Sequence, residues 1–314
     1  MARTKTKEPR TALEAVEGID LSGKVFVVTG AYSGLGAATT RALLQAGATV
    51  VAAGRNMESQ REFSNELKGS GDFEDSQLDA SQTVDLASLA SARDFAKYVR
   101  AKYTTVDALI NNAGVMNTPA GVTADGFEIQ MGTNVIGHFL IAKLLADVTK
   151  RQIWLSSKGH AILGTPPFGH DLVRAPRIDL DAITQMDERS YQGWQRYQQS
   201  KLGAILLAKQ FPLEHPGLTA CSVHPGIVQT NLGRHTSIWS LLKFVVAMPF
   251  GGERPVSAEV GARTQTMCAV TPELQEGAYY VGCKPSETAE CAQNMDDAKR
   301  LYDYCDKATR SFQE

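Results

Sequence analysis

The sequence predicts an α/β fold in a single domain, with one doubly wound, mostly parallel sheet and helices on both of its faces. An uncharged apolar run at residues 25–28 is followed directly by a glycine-rich turn and then by a helical pattern. A second apolar run, Thr49–Ala53, starts as soon as that helix ends. Charge-free strands joined by helices are typical of parallel sheets buried on both faces.

The glycine-rich turn is the first candidate ligand site. Gly30, Gly34 and Gly36 remove side chains where backbone N–H groups can approach a pyrophosphate. The helix that begins near Leu35 directs its positive end at the same point. The spacing is GxxxGxG, which differs from the GxGxxG fingerprint of dinucleotide sites. An ordinary strand-turn-helix connection is the alternative interpretation of this stretch alone.

Composition excludes several function classes. The formal net charge is -2 over 314 residues and both signs are spread along the chain, so no nucleic-acid surface is predicted. Five cysteines without CxxC spacing and six scattered histidines predict no metal site and favour a reducing, cytoplasmic location. Residues 1–10 are basic and lack an apolar signal sequence. We interpret them as a disordered leader, with organellar targeting as the alternative.

The end of the second strand predicts the cofactor. In dinucleotide sites an acidic residue at this position binds the ribose hydroxyls of NAD, whereas an arginine accommodates the additional phosphate of NADP. This chain has Arg55 there and no acid before Glu58. NADP(H) is therefore the favoured cofactor, and the missing acid carries more of this inference than Arg55, which could also be a solvated loop cation.

Later predicted strands end in further candidate site residues. They are residues 108–110, followed by Asn112, Ala113 and Gly114; residues 152–155, followed by Ser156 and Ser157; and residues 220–223, followed by Pro225 and Gly226. The carboxyl ends of parallel strands share one edge of a sheet, where doubly wound folds bind their ligands. We therefore expect these residues to lie together. A polar loop is predicted at residues 69–82, before Asp85 and Leu86.

A helix carries the candidate acid-base pair. Tyr197 and Lys201 are four residues apart, which places both on one helix face. A free tyrosine has a pKa of about 10, and a neighbouring lysine cation is expected to lower the pKa of Tyr197. A long helix at residues 127–145 contains Asn134, which is unfavourable inside a helix unless it has a function or is satisfied by buried backbone.

The chain contains, in this order, the motifs TGxxxGxG from Thr29, DL, NNAG and YxxxK. Together they resemble the signature of the short-chain dehydrogenase/reductase family, which implies a Rossmann-type fold. The resemblance also implies a catalytic tetrad. Asn134 would hold a water in a proton path to Lys201, Ser157 and Tyr197 would contact the substrate oxygen, and Lys201 would bind ribose. The cofactor residues it implies are Gly30, Ser33, Gly34, Leu35, Gly36, Arg55, Asp85, Leu86, Asn112, Ala113, Gly114, Tyr197, Lys201, Pro225, Gly226, Val228 and Thr230.

The segments SSKGH, SKL and CAVTPELQEGAYY look like the retinol dehydrogenase branch and the oxidoreductase domain of WW-domain oxidoreductase. Membership of that branch implies an enzyme that uses NADP(H) on lipophilic alcohols or carbonyls such as retinoids and steroids. A ketoreductase of a secondary-metabolite pathway is the alternative within the family. A non-catalytic NADP-binding scaffold is the alternative outside it, and the intact tetrad argues against that.

The expected organisation is an N-terminal extension at residues 1–20 and the short-chain dehydrogenase/reductase domain at 21–314. A substrate-side loop is expected at about 158–196 and a lid at about 231–256. The apolar part of the lid, residues 238–250, is shorter than the roughly 20 residues that a spanning helix needs, so no transmembrane segment is expected. It is predicted to cover a lipophilic pocket or to touch a membrane surface, with a core helix as the alternative. The oligomeric state stays open.

Overall fold

The computed structural model describes residues 8–71, 73–162, 177–185, 187–228 and 254–313. Within these ranges eight strands form one sheet in the order β3-β2-β1-β4-β5-β6-β7-β8. They are β1 Val25–Thr29, β2 Thr49–Ala53, β3 Leu78–Asp79, β4 Ala108–Asn111, β5 Arg151–Leu155, β6 Thr219–His224, β7 Tyr279–Val281 and β8 Lys284–Ser286. Only β8 runs antiparallel to its neighbour. The strand order reverses between β1 and β4, as in a doubly wound sheet.

Helices cover both faces of this sheet. They are α1 Gly34–Gln45, α2 Met57–Ser70, α3 Leu89–Lys102, α4 Ile129–Met131, α5 Gly137–Leu144, α6 Gly193–Glu214, α7 Ala258–Val270 and α8 Met295–Thr309. Short 3₁₀ turns lie at Glu14–Val16, Asp75–Gln77, Lys158–Ile162, Asp181–Ile183, Glu290–Gln293 and Arg310–Phe312. A π-helical turn, Gly132–Ile136, joins α4 to α5. No helix in the described part of the chain combines the length and apolarity needed to span a membrane.

Alternate side chains of the central strands enter different cores. Phe26 and Val28 of β1 pack with residues of α1 and α7 on one face. Val27 packs on the other face, where α3, α5, α6 and α8 contribute their apolar residues. Burial on both faces explains why the strands are uncharged runs rather than alternating patterns. The predicted α/β fold is thereby confirmed.

Two predicted elements differ from the structure. Strand β3 lies inside the stretch 69–82 that was expected to be a polar loop. It is two residues long, and its buried Asp79 accepts hydrogen bonds from the hydroxyls of Tyr98 and Tyr103, both at 2.8 Å. An apolar pattern therefore could not reveal it. The helix predicted at 127–145 is interrupted by the π-helical turn, which contains Asn134.

The described part of the segment before residue 21 packs on the domain. Its backbone N–H at Ala12 donates to the carbonyl of Glu259 at 2.9 Å, and Ala12 and Val16 are buried beside α7. This segment contains a 3₁₀ turn, Glu14–Val16. Residues 1–7 lie outside the described residues, as does most of the predicted lid, including residues 238–250.

Candidate active site

The carboxyl ends of the central strands open into a cavity of about 600 Å³. Its lining includes Gly30, Ser33, Gly34, Leu35, Arg55, Asp85, Leu86, Asn112, Ala113, Gly114, Ser156, Tyr197, Lys201 and Pro225. The cavity lies where the strand order reverses between β1 and β4. Ligands of doubly wound sheets bind at this position, and most of the residues that the sequence singled out meet there.

The three glycines of the first turn have two different roles. Gly30 and Gly34 have φ angles of 65° and 52°, a left-handed conformation that favours glycine. Gly36 is not part of the cavity lining. A Cβ on it would lie 2.1 Å from the carbonyl oxygen of Gly30 and 2.7 Å from Nδ2 of Asn112. The structure therefore gives Gly36 a packing role, which lets α1 approach the turn, and its expected contact with the cofactor stays a prediction.

The loop after β2 places an exposed cation at the cavity. Arg55 is exposed and lines the cavity. Asn56 begins α2, and its Oδ1 accepts the backbone N–H of Glu58 at 2.8 Å. Glu66 also lines the cavity, but it is paired with Arg41 at 2.7 Å. Glu62 is a further acidic residue of the lining, so Arg55 is the charged residue nearest the end of β2 rather than the sole charge on this side of the cavity.

The floor of the cavity is fastened to β1. Oγ1 of Thr29 accepts the backbone N–H groups of Asn112 and Ala113, both at 3.0 Å. Nδ2 of Asn112 donates to the carbonyl of Thr29 at 2.7 Å. A Cβ on Gly114 would lie 3.1 Å from Oδ1 of Asn134 and 3.7 Å from Nζ of Lys201. The floor thus extends from β1 to the predicted tetrad without an intervening side chain.

The two serines after β5 differ in their partners. The hydroxyl oxygen of Ser157 accepts the N–H of Gly159 at 3.1 Å, and a Cβ on Gly159 would lie 3.4 Å from this oxygen and 3.9 Å from the Tyr197 ring. The hydroxyl of Ser156 is buried and donates to the carbonyl of Lys201 at 2.6 Å. Nζ of Lys201 donates to the carbonyl of Leu155 at 3.0 Å and lies 5.5 Å from the centre of the Tyr197 ring. Ser157 is therefore beside the candidate acid, while Ser156 fastens β5 to α6.

Burial controls the protonation of the candidate pair. It raises the pKa of Tyr197 to about 12, and the neighbouring Ser157 hydroxyl acts in the opposite direction. Burial lowers the pKa of Lys201 to about 8. Removing the phenolate from water therefore dominates the pKa of Tyr197, and the expected lowering by Lys201 stays a prediction.

Asn134 joins the floor to the helix that carries Tyr197. Its Oδ1 accepts the N–H of Val115 at 2.9 Å, and its Nδ2 donates to the carbonyl of Val115 at 3.0 Å and to Oγ of Ser200 at 2.9 Å. Ser200 in turn donates to the carbonyl of Tyr197 at 2.7 Å. Sequence reasoning missed Ser200, although its place inside YQQSK was a signal. The water expected on Asn134 stays a prediction.

The remaining predicted residues lie at the rim or outside the described chain. Oδ1 of Asp85 accepts the N–H of Ala87 at 3.0 Å. Gly226 has a φ angle of 88°, and Val228 forms an isolated parallel bridge with Val256. His224 is buried, and its Nδ1 accepts the N–H of Lys158 at 3.3 Å, so this imidazole packs locally. Thr230 lies outside the described residues.

Fold and cavity together define a dinucleotide-dependent oxidoreductase, and the comparisons agree. Residues 24–160 match the family model for short chain dehydrogenases. The chain is 36% identical to retinol dehydrogenase 13 of Homo sapiens over 292 residues, covering 90% of this chain and 83% of that protein. It is also 36% identical to retinol dehydrogenase 12 of Homo sapiens over 293 residues, covering 90% and 85%.

Among solved structures, an uncharacterised protein from Mycobacterium paratuberculosis matches with a TM-score of 0.70 and 29% identity, covering 94% of this chain and 97% of that one. This chain therefore belongs to the short-chain dehydrogenase family, and it is similar to the family's retinol dehydrogenases. The family uses nicotinamide cofactors, so the chain is a nicotinamide-dependent oxidoreductase.

Proposed function

We propose that this protein is an NADP(H)-dependent oxidoreductase that transfers hydride between the nicotinamide and a lipophilic carbonyl or alcohol of the retinoid or steroid kind. The observation that carries the proposal is the placement of Tyr197 between Ser157 and the buried Lys201, in a cavity that Tyr197 and Lys201 line together with a glycine-rich turn. Asn134, Ser157, Tyr197 and Lys201 are the proposed catalytic set.

The residues of the turn fit a dinucleotide. Ser33 is the N-cap residue of α1, and it lines the cavity. Its side chain makes no hydrogen bond to the first N–H groups of the helix. Uncapped N–H groups and the helix dipole favour a pyrophosphate. Arg55, with no acid at the end of β2, favours the additional phosphate of NADP. Tyr197 and Lys201 would complete the site at the nicotinamide end.

The proposed reaction transfers one hydride and one proton. The bound nicotinamide supplies or accepts the hydride. Tyr197 exchanges the proton with the substrate oxygen, and Ser157 donates a hydrogen bond to that oxygen. Because burial raises the pKa of Tyr197 to about 12, its phenol is protonated at neutral pH and is ready to donate. In this form Tyr197 can donate the proton that carbonyl reduction requires.

Two observations support a lipophilic substrate. Val115, Met116 and Leu155 line the part of the cavity that also holds Tyr197 and Lys201. The relatives at 36% identity are named retinol dehydrogenases. An apolar wall with a few convergent polar groups is suited to a bulky apolar ligand that carries one oxygen.

The test is NADPH consumption by the purified protein with a panel of retinoid, steroid and aromatic carbonyls, alongside Tyr197→Phe. Removing the proton donor should lower kcat by about 10²–10⁴-fold and leave the dissociation constant of NADPH nearly unchanged. Equal turnover by both proteins would contradict the assignment of Tyr197. Tight NADPH binding without turnover of any substrate would instead support a scaffold.

We also propose a cytoplasmic location. All five cysteines are free thiols, and four of them are buried. Free thiols are typical of proteins from reducing compartments. Fractionation of cells that express the tagged full chain tests this, and recovery in an organelle or membrane fraction would contradict it.

A further inference from the structure

A buried histidine lies between the cavity floor and the tetrad. His138 is 1% exposed and occupies the first turn of α5, directly after the π-helical turn. Its Nε2 lies 2.9 Å from Oγ1 of Thr29, and its Nδ1 lies 3.1 Å from the carbonyl oxygen of Asn134. The edge of its ring meets Trp154, with ring centres 6.4 Å apart. The imidazole thus bridges β1 and the catalytic asparagine.

Its partners determine its tautomer. A carbonyl oxygen can only accept, so Nδ1 must carry the proton that points at Asn134. Oγ1 of Thr29 already accepts two N–H groups, from Asn112 and Ala113, and both of its lone pairs are used. Its own proton is therefore donated, and Nε2 at 2.9 Å is a closer acceptor than the carbonyl of Ile110 at 3.4 Å. The imidazole is neutral, with Nε2 as an acceptor.

Protonation of Nε2 is disfavoured for a second reason. A proton on Nε2 would point at a hydroxyl oxygen that has no free lone pair. The buried cation Lys201 also disfavours a second positive charge at this position. Burial acts in the same direction and lowers the pKa of His138 to about 4. The neutral form therefore persists at neutral pH.

The bonds form a continuous path. It runs from the N–H groups of Asn112 and Ala113 through the hydroxyl of Thr29 and the imidazole of His138 to the carbonyl of Asn134. From Asn134 it continues through Ser200 to the carbonyl of Tyr197. The covalent bonds of Asn134 join its carbonyl to its side-chain amide, so the path connects the floor with the π-helical turn and with the helix that carries Tyr197.

We propose that His138 is a positioning residue of the reaction, which transmits the position of the cofactor floor to Asn134 and through it to Tyr197. This rests on the proposed function. It predicts that cofactor affinity and turnover both depend on an imidazole that touches neither cofactor nor substrate. The chain also supplies a matched control, His160, which is likewise buried and bonds to a residue of the tetrad.

His160 makes the same kinds of bond without reaching the floor. Its Nδ1 donates to the carbonyl of Ser157 at 2.6 Å, and its Nε2 accepts the N–H of Ala289 at 3.3 Å. Its ring packs edge-on against Tyr279. It differs from His138 in that Thr29, Asn112 and Ala113 are not among these partners.

The experiment compares His138→Phe with His160→Phe. Phenylalanine keeps a ring in place and removes both hydrogen bonds. For His138→Phe we expect the dissociation constant of NADPH to rise and kcat to fall, each by about tenfold, as for the loss of buried hydrogen bonds. For His160→Phe we expect the dissociation constant to stay within about twofold of the wild-type value while kcat falls. Unchanged NADPH affinity and kcat in His138→Phe, or equal weakening of NADPH binding in both variants, overturns the proposal.

A double-mutant cycle tests the link itself. Thr29→Val removes the hydroxyl with little change of volume, and Thr29→Ser keeps it. Because Thr29 and His138 act through one bond, the double variant Thr29→Val/His138→Phe should bind NADPH no more weakly than the worse single variant. Strictly additive effects contradict the link.

Imidazole ¹⁵N spectra can be recorded for the wild type and the two Thr29 variants without any turnover. If His138→Phe fails to fold, these spectra test the hydrogen bond between His138 and Thr29. The wild type should show a protonated Nδ1 and an unprotonated Nε2. The Nε2 resonance should move in Thr29→Val and stay in Thr29→Ser, and a protonated Nε2 in the wild type overturns the proposal. If the wild type binds neither NADPH nor NADH, the proposed function fails while these spectra still test the link.

Discussion

The cofactor side and the catalytic side of the cavity are built in different ways. On the cofactor side, function depends on missing side chains: Gly30 and Gly34 take left-handed conformations, and Gly36 allows α1 to approach the turn. On the catalytic side, it depends on particular polar atoms, such as the amide of Asn134 and the hydroxyls of Ser157 and Ser200. Added volume should therefore damage the first side, and lost hydrogen bonds the second.

The largest effect is expected from Gly36→Ala, which adds volume on the cofactor side. Its Cβ would lie 2.1 Å from the carbonyl oxygen of Gly30, so the helix or the turn must move. We expect a loss of about 3 kcal/mol in the free energy of unfolding. NADPH binding should weaken as well. Thermal unfolding and NADPH titration measure both effects.

Gly69→Ala is the matched control for that substitution. Gly69 is an exposed residue of α2, and a Cβ there would meet nothing within 4 Å. Because alanine is the better helix former, the variant should be unchanged or more stable by up to about 1 kcal/mol. If Gly36→Ala is as stable as Gly69→Ala, close packing at Gly36 does not limit the side-chain volume on the cofactor side.

Ser157→Ala tests the catalytic side by removing one hydroxyl. Loss of a donor to the substrate oxygen should lower kcat by about 10²-fold with little change in stability. Ser156→Ala removes the neighbouring hydroxyl, which bonds the carbonyl of Lys201. That variant should lose about 1–3 kcal/mol of stability and keep most of its kcat. The reverse pattern would exchange the roles of the two serines.

Arg55→Asp tests whether a positive charge on the cofactor side, in addition to the space that the glycines leave, contributes to cofactor binding. The variant loses a positive charge and gains an acid. The kcat/KM for NADPH, divided by the kcat/KM for NADH, should therefore fall by about tenfold or more. Steady-state kinetics with both cofactors measures the ratio. An unchanged ratio would show that other residues select the cofactor.

A pH dependence tests the charge on the catalytic side. Burial lowers the pKa of Lys201 to about 8, so the ammonium is present below that pH and is lost above it. If the cation supports proton transfer, kcat/KM for carbonyl reduction should be level at neutral pH and fall by up to about tenfold per unit above pH 8. A profile that stays level to pH 10 would remove Lys201 from the proton path.

A good part of the site could be predicted because its motifs are local. Gly30 and Gly34 follow their strand directly, and Tyr197 and Lys201 share one helix face, so chain spacing alone brings them together. Ser157 could be preferred to Ser156 by resemblance, and their different hydrogen bonds agree with that choice. The strand order could also be anticipated, since a strand-helix-strand unit has one favoured hand.

The sequence by itself determined the α/β class and the glycine turn, because these follow from periodicity and short spacing. The candidate tetrad was predicted from the resemblance to the family. Only the tertiary structure decided the π-helical turn at Asn134, the short strand β3, the packing role of Gly36 and the raised pKa of Tyr197. Each of these depends on burial or on partners far away in the chain, as Thr29 and His138 show with a separation of 109 positions. Hydrogen-bond partners and desolvation are properties of the packed chain, and local pattern does not encode them.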